Sequence, residues 1–87
     1  MLLLITGRVH GVAYRISAKR IADKLNISGW IKNNQNGTVS IMAEGGYDSL
    51  VEFKKWCKQG PKSAEVEAVD SIWEKYIGDL EGFVILY

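Results

Sequence analysis

The order in which the hydrophobic pattern switches between strand-like and helical spacing constrains this chain more than any other feature. Leu2 to Arg8 is short, apolar and followed by a glycine-bearing stretch, as expected of a buried strand. From Tyr14 to Leu25, Ala18, Ile21, Ala22 and Leu25 recur at i, i+3, i+4 and i+7, with Lys19, Arg20, Asp23 and Lys24 opposite. That spacing predicts an amphipathic helix. Ile27 to Lys32 and Thr38 to Glu44 flank Asn33-Asn34-Gln35-Asn36-Gly37, and Asn-Gly tolerates the positive φ of a tight turn, so a β-hairpin is predicted. In its second arm Val39, Ile41 and Ala43 mark the inward face. Gly45-Gly46 ends that strand. Asp48 then lies in the first turn of a helix running to about Gln59, with Leu50, Phe53 and Cys57 on one face and Gly60-Pro61 as its stop. Glu65 to Trp73 and Gly82 to Tyr87 read as strands, joined irregularly by Tyr76 to Glu81. The order β-α-β-β-α-β plus a short C-terminal strand specifies an α+β, ferredoxin-like split βαβ sandwich: an antiparallel sheet with two helices on one face. That fold alone hosts many functions.

Composition narrows the functions. Eighty-seven residues suit a single domain spanning 1–87, and 47% hydrophobic residues suffice for an ordinary core. Eleven Lys and Arg against ten Asp and Glu leave a net charge of +1, with both signs dispersed. A dedicated polyanion or membrane-surface binder is therefore not expected, and neither nucleic acid nor membrane is an expected partner. Cys57 is alone and cannot form an intrachain disulfide, which fits a reducing compartment and a cytoplasmic location. The apolar run Met1 to Ile5 is far shorter than a signal or spanning segment. A monomer is expected.

Two places could carry chemistry. In Gly7 to Arg15 a glycine-bearing loop leaves a strand and enters a helix whose first N–H groups are unpaired, an arrangement that can hold an anion. Arg15 would add a planar guanidinium able to grip two phosphate oxygens. The same spacing also suits an ordinary strand-to-helix connection with an exposed arginine. Neither a Walker A loop nor G-x-G-x-x-G is matched. Asn33, just before the hairpin turn, carries an amide that can donate and accept, but Asn34 and Asn36 compete for any role, and asparagines here also form turns. His10 reads as a loop residue rather than a general acid or base, having no Ser, Cys or carboxylate close to it in sequence. One histidine, one cysteine and dispersed carboxylates give no metal-ligand spacing, so no metal is expected. Cys57 reads as a buried, inert thiol. Trp30, Trp56, Trp73, Phe53 and Phe83 read as core or core edge.

Gly7-Arg8-Val9-His10-Gly11-Val12-Ala13-Tyr14-Arg15, followed by Gly29-Trp30-Ile31-Lys32-Asn33 and Gly37-Thr38-Val39, resembles the acylphosphatase family, and the similarity runs on through Ala43-Glu44-Gly45 to Gly82-Phe83-Val84-Ile85. The resemblance implies a hydrolase that cleaves the carboxyl–phosphate bond of small acyl phosphates to carboxylate and inorganic phosphate, without metal or organic cofactor. It implies that Arg15 binds the phosphate, that the backbone N–H groups of Val9, His10, Gly11, Val12, Ala13 and Tyr14 cradle it, and that Asn33 positions the attacking water. Gly7 and Thr38 would be supporting residues. His10 stands where glutamine is common in that family, Ala13 where a glycine or small residue is usual, Tyr14 where phenylalanine is frequent and Asn34 where some members have threonine. Ala13 matters if its position needs positive φ. The alternatives are a phosphate-compound binding or regulatory module without turnover, and single-stranded RNA binding on the sheet face, although an RNP1-like strand is absent near Val39 to Glu44.

Overall fold

The computed structural model describes every residue except Tyr76, Ile77 and Asp79. Its elements are β1 (Leu2–Arg8), α1 (Tyr14–Lys24), β2 (Ser28–Asn33), β3 (Val39–Glu44), α2 (Tyr47–Gln59), β4 (Glu65–Ile72) and β5 (Phe83–Leu86). The order and type of the elements match the periodicity. The irregular connection expected at 76–81 falls partly on the three residues outside the description.

The sheet order is β4-β1-β3-β2-β5. The pairs β4–β1, β1–β3 and β3–β2 are antiparallel, as expected, but β5 lies parallel to β2, with Gly29 opposite Phe83 and Ile31 opposite Ile85. The sheet is therefore mixed rather than antiparallel. Strand direction explains the correction: β4 ends at the end of the sheet where β2 begins, so a strand that follows on the opposite edge runs alongside β2.

Alternation puts Leu3 and Ile5 of β1, Ile31 of β2, Val39, Ile41 and Ala43 of β3, and Phe83 of β5 into one buried core. Onto it α1 presents Tyr14, Ala18 and Ala22, and α2 presents Leu50, Phe53 and Cys57. Small alanines bring α1 close to the sheet. Ile21 and Leu25, expected in the core, pack against its margin. Phe53 meets Phe83 edge-on at 5.8 Å, joining α2 to the last strand. Trp73 departs from expectation: it is 52% exposed and stacks on Tyr47 at 5.5 Å, because it follows the edge strand β4 beyond the core.

The hairpin loop has the expected five residues, moved on by one: Asn33 pairs with Val39, leaving 34–38 between the arms instead of 33–37. The Asn34 N–H donates to the Thr38 carbonyl at 2.8 Å and closes the loop. Gly37, at φ +90, makes the bend, while the Asn36 side chain accepts from the Thr38 hydroxyl at 2.6 Å. Side-chain bonds within the loop hold it in shape.

The thiol of Cys57 is fully buried, and burial pushes it up to about 12, above its ordinary 9.0. Its proton is thus held more firmly in the folded chain than in the unfolded one. The stabilisation is complete below about pH 9 and is lost as pH rises towards 12, because the unfolded state binds fewer protons across that window. We expect native protein to resist a thiol reagent at pH 8 and to react fully once denaturant is added, and urea midpoints to fall steadily above pH 9. Rapid labelling of the native chain would contradict this burial.

Candidate active site

The end of β1 is turned by a bulge. The register against β4 shifts between Thr6 and Gly7, and Gly7 has φ +132. A Cβ there would run into the Glu65 carbonyl oxygen and stand 2.8 Å from the Glu67 nitrogen, so only glycine brings the two strands this close. Past the bulge Val9 anchors the following loop in the core at 1% exposure. The loop then enters α1 through Ala13, which is left-handed at φ 61, ψ 21.

This entry leaves the helix start open. Ala13, as N-cap, has no side chain to bond the first turn, and no acidic residue lies in that turn. The first helical bond is donated by the Ser17 N–H to the Ala13 carbonyl at 3.1 Å, so the earlier N–H groups have no intrahelical acceptor. An unpaired, positively polarised helix start favours an anion.

The loop is braced from three sides. Ser63 donates its hydroxyl to the Val12 carbonyl at 2.8 Å, and His10 Nε2 lies 2.8 Å from the Thr38 carbonyl. The buried Tyr14 hydroxyl donates to the Cys57 carbonyl at 2.8 Å. That carbonyl lacks a helical partner because position 61, four residues on, is proline. Burial raises the pKa of Tyr14 strongly, keeping its donor hydrogen in place.

Val9, Gly11, Ala13, Tyr14, Arg15, Ile16 and Asn33 line one pocket of about 150 Å³. Arg15 reaches it from the first turn of α1, with Nη1 donating to the Leu86 carbonyl at 3.3 Å and its guanidinium carbon 5.1 Å from the Tyr87 ring centre. Asn33 reaches it from the end of β2, and its Oδ1 is buried without a hydrogen-bond partner among the described residues. Asn34, by contrast, donates to Thr38 Oγ1 at 2.9 Å and Ser40 Oγ at 2.8 Å, and Asn36 is committed to Thr38. Of the three competing asparagines, two hold the hairpin and one faces the pocket. The pocket thus gathers Arg15, Asn33 and backbone of the loop. The side chains of His10 and Val12 do not line it, and neither do Gly7 and Thr38, which shape the loop and the hairpin instead.

Sequence reasoning did not foresee the contacts of Arg15 with Leu86 and Tyr87, 71 residues apart in the first case. They follow from the parallel pairing of β5 with β2, which brings the ends of the two strands together. A larger pocket of about 210 Å³, lined by Met1, Glu44, Tyr47 and Trp73 among others, lies at the other end of the sheet, and none of the expected site residues reaches it. Among the described residues no group of three or more His, Cys, Asp or Glu could hold a metal ion, and no helix is long and apolar enough to cross a membrane.

The left-handed conformation at Ala13 carries a stability prediction. An L-residue with a Cβ in that region costs about 1–2 kcal/mol, part of which Ala13→Gly recovers against the greater freedom of glycine in the unfolded chain. The expected net gain is about 0.5 kcal/mol, or roughly 2–4 °C in Tm. A lowered Tm in a scanning calorimeter would contradict it.

Fold and site together define a small α+β domain of the ferredoxin-like class whose first helix starts uncapped beside a pocket. The acylphosphatase family model matches residues 1–85. An acylphosphatase of Roseiflexus sp. (strain RS-1) is 41% identical over 85 residues, covering 98% of this chain and 91% of that one. The crystal structure of acylphosphatase from Bacillus subtilis superposes with a TM-score of 0.94 at 32% identity and full coverage of both chains. Full-length HypF, solved in a phosphate- and nucleotide-bound form, contains a similar domain: 26% identity and a TM-score of 0.86, covering 99% of this chain and 11% of that one. The chain belongs to the acylphosphatase family, and the activity of that family makes it a hydrolase.

Proposed function

We propose that the chain hydrolyses small acyl phosphates, with the phosphoryl group held by Arg15 and by backbone N–H groups of residues 9–14, and with the attacking water held by Asn33. Water oxygen bonds to phosphorus, the bond from phosphorus to the acyl oxygen breaks, and the products are a carboxylate and inorganic phosphate that retains the protons of water. An acyl phosphate already carries a good leaving group, so the task is chiefly to fix geometry and stabilise charge on the transferring group. An amide suffices to orient water, as glutamine does in some nucleotide hydrolases.

The observation that carries this reading is the convergence of Arg15, Asn33 and the uncapped start of α1 on one pocket. A volume of about 150 Å³ is small beside the roughly 300–1,000 Å³ of pockets that enclose drug-sized ligands, which suits a phosphoryl group with its acyl tail outside. Thr38 supports the site indirectly, by fastening the hairpin after Asn33. No metal or cofactor is part of the proposal, and neither is a second chain. The test is release of inorganic phosphate from acetyl or benzoyl phosphate, with and without chelator, by wild type and by the folded Arg15 and Asn33 variants. Tight phosphate binding without release above background would make this a binding module instead.

A further inference from the structure

His10 is the one histidine in the chain. It belongs to the loop between β1 and α1, yet its ring meets the β2–β3 hairpin, Nε2 lying 2.8 Å from the Thr38 carbonyl. A carbonyl oxygen only accepts, so Nε2 carries the hydrogen of this bond. The same carbonyl accepts the Asn34 N–H at 2.8 Å, in the bond that closes the loop directly after Asn33. One oxygen therefore joins the anion-side loop to the segment that carries Asn33. Neutral ring and imidazolium both hold a hydrogen on Nε2, and either can make the bond.

We propose that His10 is a positioning residue that keeps loop 9–13 in register with Asn33 through the Thr38 carbonyl that both segments bond. This rests on the reading of the site given above. The consequence is geometric. The bound phosphoryl group and the water on Asn33 are held by different segments, and a misplacement of about 1 Å between reacting groups can cost on the order of 10²-fold in rate.

The test compares wild type, His10→Ala and His10→Gln, all checked for folding by circular dichroism, with benzoyl phosphate as substrate and inorganic phosphate as inhibitor. Glutamine can donate to the Thr38 carbonyl but does not titrate. We expect His10→Ala to lose about tenfold in kcat and His10→Gln to recover to within about twofold of wild type. Inhibition by inorganic phosphate, which needs the loop and not the water on Asn33, should weaken less than about threefold in His10→Ala. An undiminished kcat in His10→Ala, or a folded His10→Gln as impaired as His10→Ala, overturns the positioning role. A loss of phosphate affinity as large as the loss of kcat overturns it as well. If His10→Ala does not fold, the kcat of His10→Gln against that of wild type decides alone. Arg15→Ala and Asn33→Ala run alongside: if they retain activity, the reading of the site has failed, whereas their inactivity beside indifferent His10 variants defeats only the present inference.

Discussion

Arg15→Ala is expected to lower kcat/KM for benzoyl phosphate by about 10²–10³-fold while the protein stays folded. Removing one strong, pre-aimed donor to developing charge costs about 2.7–4 kcal/mol in comparable sites. Arg15 brings both a full charge and a planar fork to the pocket, held from behind by the Leu86 carbonyl and the Tyr87 ring. Its contacts with β5 are solvent-exposed, so their loss should cost under about 1 kcal/mol of stability. Arg15→Lys separates the contributions. It keeps the charge but loses the fork, and a point charge cannot bond the Leu86 carbonyl and two phosphoryl oxygens in fixed geometry. Lysine should therefore fall between alanine and wild type, with most of the deficit in KM. Phosphate-release assays on variants with native circular dichroism decide the matter. A folded Arg15→Ala within tenfold of wild type would remove Arg15 from the site.

What could be read in advance from the residues divides along a physical line. Features set by neighbours in sequence were legible: Ala18 and Ala22 under α1, the face Leu50, Phe53 and Cys57 of α2, and the inward set Val39, Ile41 and Ala43 of β3 all follow from periodicity. Features set by distant pairing were not. The parallel placement of β5 depends on which edge the chain reaches after β4, and the support of Arg15 by Leu86 depends on that placement in turn. The hairpin lies between these cases. Asn36-Gly37 marked its position and the flanking arms its length, but the one-residue shift goes with bonds among Asn34, Asn36, Thr38 and Ser40 that no propensity encodes. Family resemblance, rather than spacing, singled out Asn33 from its neighbours; the structure adds that the other two asparagines are already engaged.

Asn33→Ala should separate activity from stability. Oδ1 of Asn33 has no hydrogen-bond partner among the described residues, so its deletion breaks no hydrogen bond there and costs only a little packing at the end of β2. The stability of the variant should therefore stay within about 1 kcal/mol of wild type in urea unfolding. Its kcat should nevertheless fall about 10²-fold or more, because attack then depends on a water that nothing orients. Phosphate binding, carried by Arg15 and the loop, should weaken less than threefold. Asn33→Asp sharpens the distinction. A carboxylate of similar shape can still accept from water, but its charge faces the phosphoryl group, so phosphate inhibition should weaken markedly at pH 7 and recover as the carboxyl is protonated. Kinetics and urea unfolding on the same preparations provide the check. If Asn33→Ala loses stability and activity together, the amide is a fastening of the hairpin, as Asn34 is; if stability holds while kcat collapses, it is the group that holds the water.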